Sequence, residues 1–152
     1  MKIAILMLTY NAWRYVYKSL KSLRKTNSAV DYELIVVDNA SRWPTKLLLF
    51  LMKCTGTIDK LYFNSRNSLF ARGNNIASVL TDEDVTHYLL LNSDIEIKDP
   101  DWLRKLVELH DSQGISALGC VKSTPVRADG YCLLIDKWLY DKYRLDENFE
   151  WW

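Results

Sequence analysis

Cysteine is scarce in this chain, and its spacing excludes two classes of small protein. The three cysteines, at positions 54, 120 and 132, are odd in number and contain no C-x-x-C pair. They make neither a disulfide frame nor a zinc site, and read as reduced core thiols of a cytoplasmic protein. An excess of charge of one sign is also missing, since 20 Lys+Arg against 19 Asp+Glu leave a net charge of +1. Binding to nucleic acid through bulk charge is excluded on that ground. No apolar run approaches the ~20 residues of a membrane span; residues 47–52 fall far short. Residues 1–8 are too short for a signal peptide, and Thr9-Tyr10-Asn11 interrupts them before any small-residue cleavage site. The five glycines form neither a G-x-G-x-x-G fingerprint nor the Gly-Lys-Ser/Thr end of a P-loop. The two histidines support no serine-histidine-acid arrangement. His87 precedes an apolar strand and His110 sits near a helix end, so both read as structural.

What is present is an ordinary globular composition, 49% hydrophobic and 26% charged over 152 residues. That length predicts one domain, residues 1–152, able to bury a core. Residues 3–8 read as a buried strand. Trp13, Val16, Tyr17, Leu20 and Leu23 then recur at helical spacing, with Lys18, Lys21, Arg24 and Lys25 on a solvated opposite face. A strand over 33–37 ends on Asp38-Asn39-Ala40-Ser41, and Pro44 suits the first turn of a helix reaching about residue 54. Further strands are expected at 61–63, 87–91, 115–121 and 132–135, with helices at 73–80 and 101–111. From Asp136 the tail is aromatic and charged, and the tryptophans and tyrosines are expected mostly in the core.

Strand and helix in alternation imply parallel pairing with right-handed crossovers. Ligands of such sheets bind beyond the carboxyl ends of the strands. Three strands here end in polar clusters: Thr9-Tyr10-Asn11, Asp38-Asn39-Ala40-Ser41 and Asn92-Ser93-Asp94. The last follows Tyr88-Leu89-Leu90-Leu91, so a buried strand stops on a carboxylate. Such a group can hold a hard divalent cation together with substrate phosphates. The plainer reading is a turn or a helix cap. Asp38 can accept hydrogen bonds from a nucleobase or ribose, or can open an Asx-turn. Residues 64–75 form an amide-rich segment before a helix, where free N–H groups attract phosphate and Arg72 adds a planar cation. Glu96, two residues past Asp94, would share its side if the strand continued.

In order along the chain come Leu8-Thr9-Tyr10-Asn11, Val36-Val37-Asp38-Asn39-Ala40-Ser41, residues 67–75, Leu91-Asn92-Ser93-Asp94, Asp101-Trp102-Leu103 and Leu145-Asp146-Glu147. Together these resemble a family 2-type glycosyltransferase with the GT-A fold, closest to the rhamnosyltransferase-like branch. The resemblance covers nearly the whole chain. It implies an α/β, Rossmann-like three-layer sandwich around a mostly parallel twisted sheet. It also implies an inverting, metal-dependent hexosyl transfer from a nucleotide diphosphate sugar, UDP-linked by default, to a hydroxyl on a glycan, lipid or protein. Thr9, Tyr10 and Asn11 would line the base pocket, with Asp38 reading the base and Asn39 and Ser41 alongside. Arg72 matches a basic position near the diphosphate, and Asn75 an amide of Gly73-Asn74-Asn75. Asn92-Ser93-Asp94 stands at the D-x-D position, with Asp94 the ligand for Mn²⁺ or Mg²⁺.

Three departures stand out. Glycines common in the family are replaced by Leu69 and Ala77, and Asn92 replaces an acid. The acidic pair that usually supplies the base is expected several residues beyond Asp146-Glu147, where the chain ends. Asp146, Glu147 or Glu150 would serve as base, or a C-terminal segment is missing that completes the site and carries a peripheral membrane contact. Trp151 and Trp152 would pack in an interface or the core, or on an acceptor sugar. Two rivals remain: a catalytically silent GT-A domain, and a receiver-like signalling domain with Asp94 as phosphoacceptor and Lys122 beside it.

Overall fold

The computed structural model describes residues 1–26, 30–119 and 131–149. The expected readings of Cys120, Lys122, Glu150, Trp151 and Trp152 therefore lie outside the described residues. The chain begins with β1 (Lys2–Thr9), whose run Ile3 to Met7 is fully buried on both faces. A strand without polar alternation belongs in the middle of a covered parallel sheet, and β1 sits there. It pairs in parallel with β2 (Asp31–Asp38) on one side and β4 (His87–Leu91) on the other. β3 (Lys60–Phe63) adds to β2 in parallel. β6 (Cys132–Asp136) runs antiparallel between β4 and β5 (Ala117–Gly119). The sheet order is β3-β2-β1-β4-β6-β5.

Alternate strand residues feed two cores. On one face Ile3, Ile5, Met7, Leu34, Val36 and Leu89 pack with α1 (Trp13–Lys25), α2 (Trp43–Cys54) and α4 (Trp102–Gln113). On the other, Ala4, Leu6, Ile35, Val37, Tyr88 and Leu90 meet α3 (Leu69–Ser78) and α5 (Lys137–Tyr143). The result is the expected three-layer α/β sandwich around a mostly parallel sheet. A receiver-like domain of the flavodoxin type would order its strands 2-1-3-4-5. The antiparallel β6 and the order observed do not fit it.

Several local expectations change. α1 buries Val16, Leu20 and Leu23, but Trp13 and Tyr17 are exposed. Small Ser19 and Ser22 complete the buried stripe instead, and the two rings lie under cations, Arg14 over Trp13 and Lys21 over Tyr17. Cys54 ends α2 on its exposed side, so only Cys132 of the described cysteines is a core thiol. The aromatic residues are likewise mostly surface groups: Tyr10, Tyr15, Trp43, Tyr62, Trp138 and Tyr143 are exposed, whereas Tyr88 and Tyr140 are buried edge to face. The tail beyond Asp136 contains a helix, α5. α3 starts at Leu69 rather than Gly73, which takes Arg72 out of the loop and onto the helix. Gly73 lets this helix close on β1, because a Cβ there would lie 2.8 Å from Cδ1 of Leu8.

The polar loop 81–84 ties two strands together by charge. Asp82 lies 2.9 Å from Nζ of Lys2 and 2.5 Å from Nζ of Lys60, which also pairs with Glu33 at 3.0 Å. Hydrogen bonds from Lys60 and Lys2 hold the Asp82 carboxyl at about 2, below its ordinary 3.8. A depressed carboxylate contributes stability above its ordinary value and loses it as pH falls toward the folded value. Asp82→Asn is therefore expected to flatten the fall in stability between about pH 4 and pH 2. Urea unfolding across that range measures it, and an unchanged slope contradicts the assignment.

Leu69, which occupies a position where the resembled family favours glycine, has φ 61. A side chain in this left-handed region costs roughly 1–2 kcal/mol, against roughly 0.5–1 kcal/mol for the extra freedom of glycine in an unfolded chain. Since Leu69 is 40% exposed, little packing is lost on truncation. Leu69→Gly is expected to leave stability unchanged or raise it by up to about 1 kcal/mol. A loss larger than that in urea unfolding would show that the side chain, not the backbone, matters.

Candidate functional site

The carboxyl ends of β1, β2 and β4 lie side by side, and their polar clusters meet there. β1 and β2 end in register, Thr9 opposite Asp38. Asp38 is fully buried, so both oxygens need partners. Oδ1 accepts the Thr9 hydroxyl at 3.0 Å, and Oδ2 accepts the Ser41 N–H at 3.0 Å. This is the Asx-type turn among the readings of Asp38, tied to a second strand. Ser41 Oγ in turn accepts the Asn11 N–H at 2.7 Å, and Asn11 Oδ1 accepts the Arg42 N–H at 2.8 Å. The Asn11 carbonyl accepts the Thr45 hydroxyl, which locks the start of α2 onto the β1 loop.

Asn39 links these loops to α3. Its N–H donates to the Thr9 carbonyl at 2.8 Å. Its Oδ1 accepts Asn64 Nδ2 at 2.8 Å and Ser68 Oγ at 2.7 Å. Asn11, Ala12, Ala40 and Leu69 all have positive φ, at 59°, 27°, 61° and 61°. Three of these strained non-glycine residues lie on loops and Leu69 opens α3, and the hydrogen-bond lattice ties these segments together. Clusters of that kind mark functional sites. Tyr10, between the two tied residues Thr9 and Asn11, points its ring outward, 53% exposed.

β4 delivers the third cluster. The Asn92 N–H donates to the Tyr131 carbonyl at 2.9 Å, and Asn92 and Ser93 are half-buried. β4 is paired in parallel with β1, Leu6 facing Leu90, so this cluster leaves the sheet at the same edge as Thr9. Asp94 is exposed in the turn that follows. Its carboxylate has no hydrogen bond or ion pair among the described residues, unlike its acidic neighbours. Glu96 pairs with Lys98 at 2.7 Å, Asp99 with Lys105 at 2.6 Å, and Asp101 with Arg104 at 3.5 Å. Glu96 does not share a strand face with Asp94, because β4 ends at Leu91 and the segment turns away toward α1. An exposed, unpartnered carboxylate suits a hard divalent cation, whose other ligands can come from water and a bound phosphate.

The tail brings a further group. Asn75 on α3 accepts the Tyr140 hydroxyl at 2.9 Å through Oδ1. Its Nδ2 donates to the Leu145 carbonyl at 2.9 Å and to Glu147 Oε1 at 3.0 Å. Burial pushes the Tyr140 phenol well above its ordinary range, so this hydroxyl stays a donor. The other Glu147 oxygen stands 4.0 Å from Nε of Arg72, one turn back on α3. Arg72, Asn75 and Glu147 are thus brought together. Asp146 is not: its Oδ1 accepts N–H groups of Asn148, closing a local turn. The residues missed in the sequence are Thr45, Asn64, Ser68 and Tyr140. Thr45 and Tyr140 carry no motif signal. Asn64 and Ser68 belonged to the amide-rich segment without individual roles.

The family model for glycosyl transferase family 2 matches residues 4–148. Among curated proteins nothing matches. Among solved structures, a mannosyltransferase from Pyrobaculum calidifontis in complex with GDP-Man and Mn²⁺ is similar, with 15% identity and a TM-score of 0.83. That alignment covers 96% of this chain and 48% of the other. TarS 1-349 of S. aureus is similar at 19% identity and a TM-score of 0.77, over 99% of this chain and 52% of that one. The same TarS fragment with UDP bound aligns at 18% identity and a TM-score of 0.77. This chain spans about half the length of the structures it matches. With the family pattern extending from β1 to the turn beyond α5, on a sheet shared with these transferases, the chain belongs to glycosyl transferase family 2 and has the GT-A fold.

Proposed function

We propose that this domain binds a nucleoside diphosphate sugar across the carboxyl ends of β1, β2 and β4 and transfers the sugar to an acceptor hydroxyl with inversion. The observation that carries this reading is the Asp94 carboxylate, unpartnered among the described residues, in the turn after β4, whose neighbour β1 carries the Thr9–Asp38–Ser41–Asn11 lattice. The neighbours' bound GDP-Man with Mn²⁺ and bound UDP support a donor of this chemical class. In this reading Thr9, Asn11 and Ser41 fix the walls of a base pocket, and exposed Tyr10 offers a ring for stacking. Asp38, fully buried, holds those walls through Thr9 and Ser41 rather than meeting the base itself. Asn39 anchors the start of α3 against the same floor. Asn92 and Ser93 position the turn that presents Asp94.

Asp94 would hold Mn²⁺ or Mg²⁺ together with the diphosphate. When bound, the ion supplies charge neutralisation to the departing nucleotide. Arg72, half exposed and loosely paired at 4.0 Å, has guanidinium donors free for the same phosphates. Inversion requires a base on the acceptor side. Of the two candidates among the described residues, Glu147 is the better placed, because Asn75 orients one oxygen while Asp146 is used within its own turn. The acceptor is a hydroxyl of a glycan, lipid or protein, and a peripheral membrane contact would suit a lipid-linked one.

Asp94→Ala is expected to abolish metal-dependent binding of UDP, GDP or dTDP, whichever binds, in calorimetric titrations with and without Mn²⁺. Metal-dependent affinity that survives the substitution would remove Asp94 from the site. Glu147→Gln is expected to lower the transfer rate about 10²–10⁴-fold with nucleotide affinity nearly unchanged. Equal transfer by both forms would assign the base elsewhere.

A further inference from the structure

At the amino end of β4, away from the site above, three ligand-type side chains converge. His87 opens β4, and Asp136, its register partner, closes β6. His110 arrives from the last turn of α4. One potential ligand atom from each residue lies within 4.8 Å of the other two. Nε2 of His87 is 3.0 Å from Oδ1 of Asp136, and Nε2 of His110 is 3.3 Å from the same oxygen. The two rings meet edge to face with centroids 5.2 Å apart.

The surrounding groups admit tautomers that suit a ligand set. The Thr86 hydroxyl stands 2.8 Å from Nδ1 of His87 and 3.1 Å from the Lys2 carbonyl. When it donates to that carbonyl it accepts from Nδ1–H, and the lone pair of His87 lies on Nε2. Nδ1 of His110 lies 3.3 Å from the Asp111 carboxylate, and in the tautomer that donates to it the His110 lone pair is on Nε2 as well. His110 Nε2 is sealed from solvent and makes no hydrogen bond among the described residues. In these tautomers two imidazole lone pairs and a carboxylate oxygen face one another, and one divalent ion satisfies all three.

We propose that His87, His110 and Asp136 form a site for a borderline divalent ion of the Zn²⁺ or Co²⁺ class. Two imidazoles and one carboxylate select such ions over Mg²⁺ or Ca²⁺. The separations of 3.0 and 3.3 Å approach the ~3.3 Å edge of a tetrahedron with ~2.0–2.1 Å bonds. Each ligand has an outer partner, as metal ligands do: Thr86 for His87, Asp111 for His110, and Trp138 Nε1, 2.9 Å from Oδ2, for Asp136. The His87 and Asp136 side chains remain 13% and 17% exposed, which admits the ion and a water as fourth ligand. The ion would clip α4 and β6 to β4, roughly 13 Å along the strand from its carboxyl end.

The test uses the full chain carrying Asp94→Ala, which silences the other metal position, after stripping with EDTA. Titration with Co²⁺ is expected to give one equivalent with an intense tetrahedral visible spectrum. Zn²⁺ displaces it, excess Mg²⁺ does not, and the ion raises Tm. His110→Gln is expected to abolish the spectrum and the Tm shift. Should that buried variant fail to fold, the partly exposed His87→Gln carries the same expectation. No Co²⁺ spectrum, or one unchanged in His87→Gln, would overturn the proposal and leave a proton as the shared positive centre.

Discussion

The fully buried Asp38 carboxylate is the constraint on which the functional end of this domain depends. A charge without solvent contact is tolerable only when its oxygens are hydrogen-bonded. Thr9 and the Ser41 N–H meet that demand, and in doing so they bind the ends of two parallel strands to one another. Ser41 then holds Asn11, Asn11 holds Arg42 and Thr45, and Asn39 holds Asn64 and Ser68. Three loops and the starts of two helices are set by one chain of contacts.

That lattice explains how the loops keep left-handed backbone at Asn11, Ala12, Ala40 and Leu69 without glycine. Strain of this kind persists only where the surroundings over-determine it. The outcome is a tied rim, whereas Asp94, in the turn after the neighbouring β4, has no partner among the described residues. Arg72 and Glu147 are less tightly held, their contact being long and half exposed. A tied floor with exposed charged groups on α3 and the tail suits the binding of a diphosphate and an acceptor.

Much of this was legible in the sequence because strand and helix periods differ sharply. The unbroken apolar run of β1 and the polar stops at Thr9, Asp38 and after Leu91 pointed to the sheet and to the edge where its polar clusters lie. The antiparallel direction of β6 was not legible, since a short apolar run has no direction until it pairs. Trp13 and Tyr17 misled because aromatic rings count as apolar in a periodic pattern, yet both are exposed and lie under Arg14 and Lys21. Tyr140 and Thr45 act through single hydrogen bonds across 65 and 34 positions of sequence, distances over which no local pattern reports. The His87–His110–Asp136 cluster was hidden for the same reason: three elements bring together residues that look ordinary one at a time.

The account's central claim is that the carboxyl edge of β1, β2 and β4 is a nucleoside diphosphate site organised around Asp94. A crystal structure with Mn²⁺ and the nucleotide that binds tests this directly. The account predicts a metal ion roughly 2.0–2.6 Å from an Asp94 oxygen, bridged to the diphosphate, with the base lying between Thr9 and Ser41. A nucleotide bound elsewhere, or a diphosphate-linked metal with no Asp94 ligand, would contradict it.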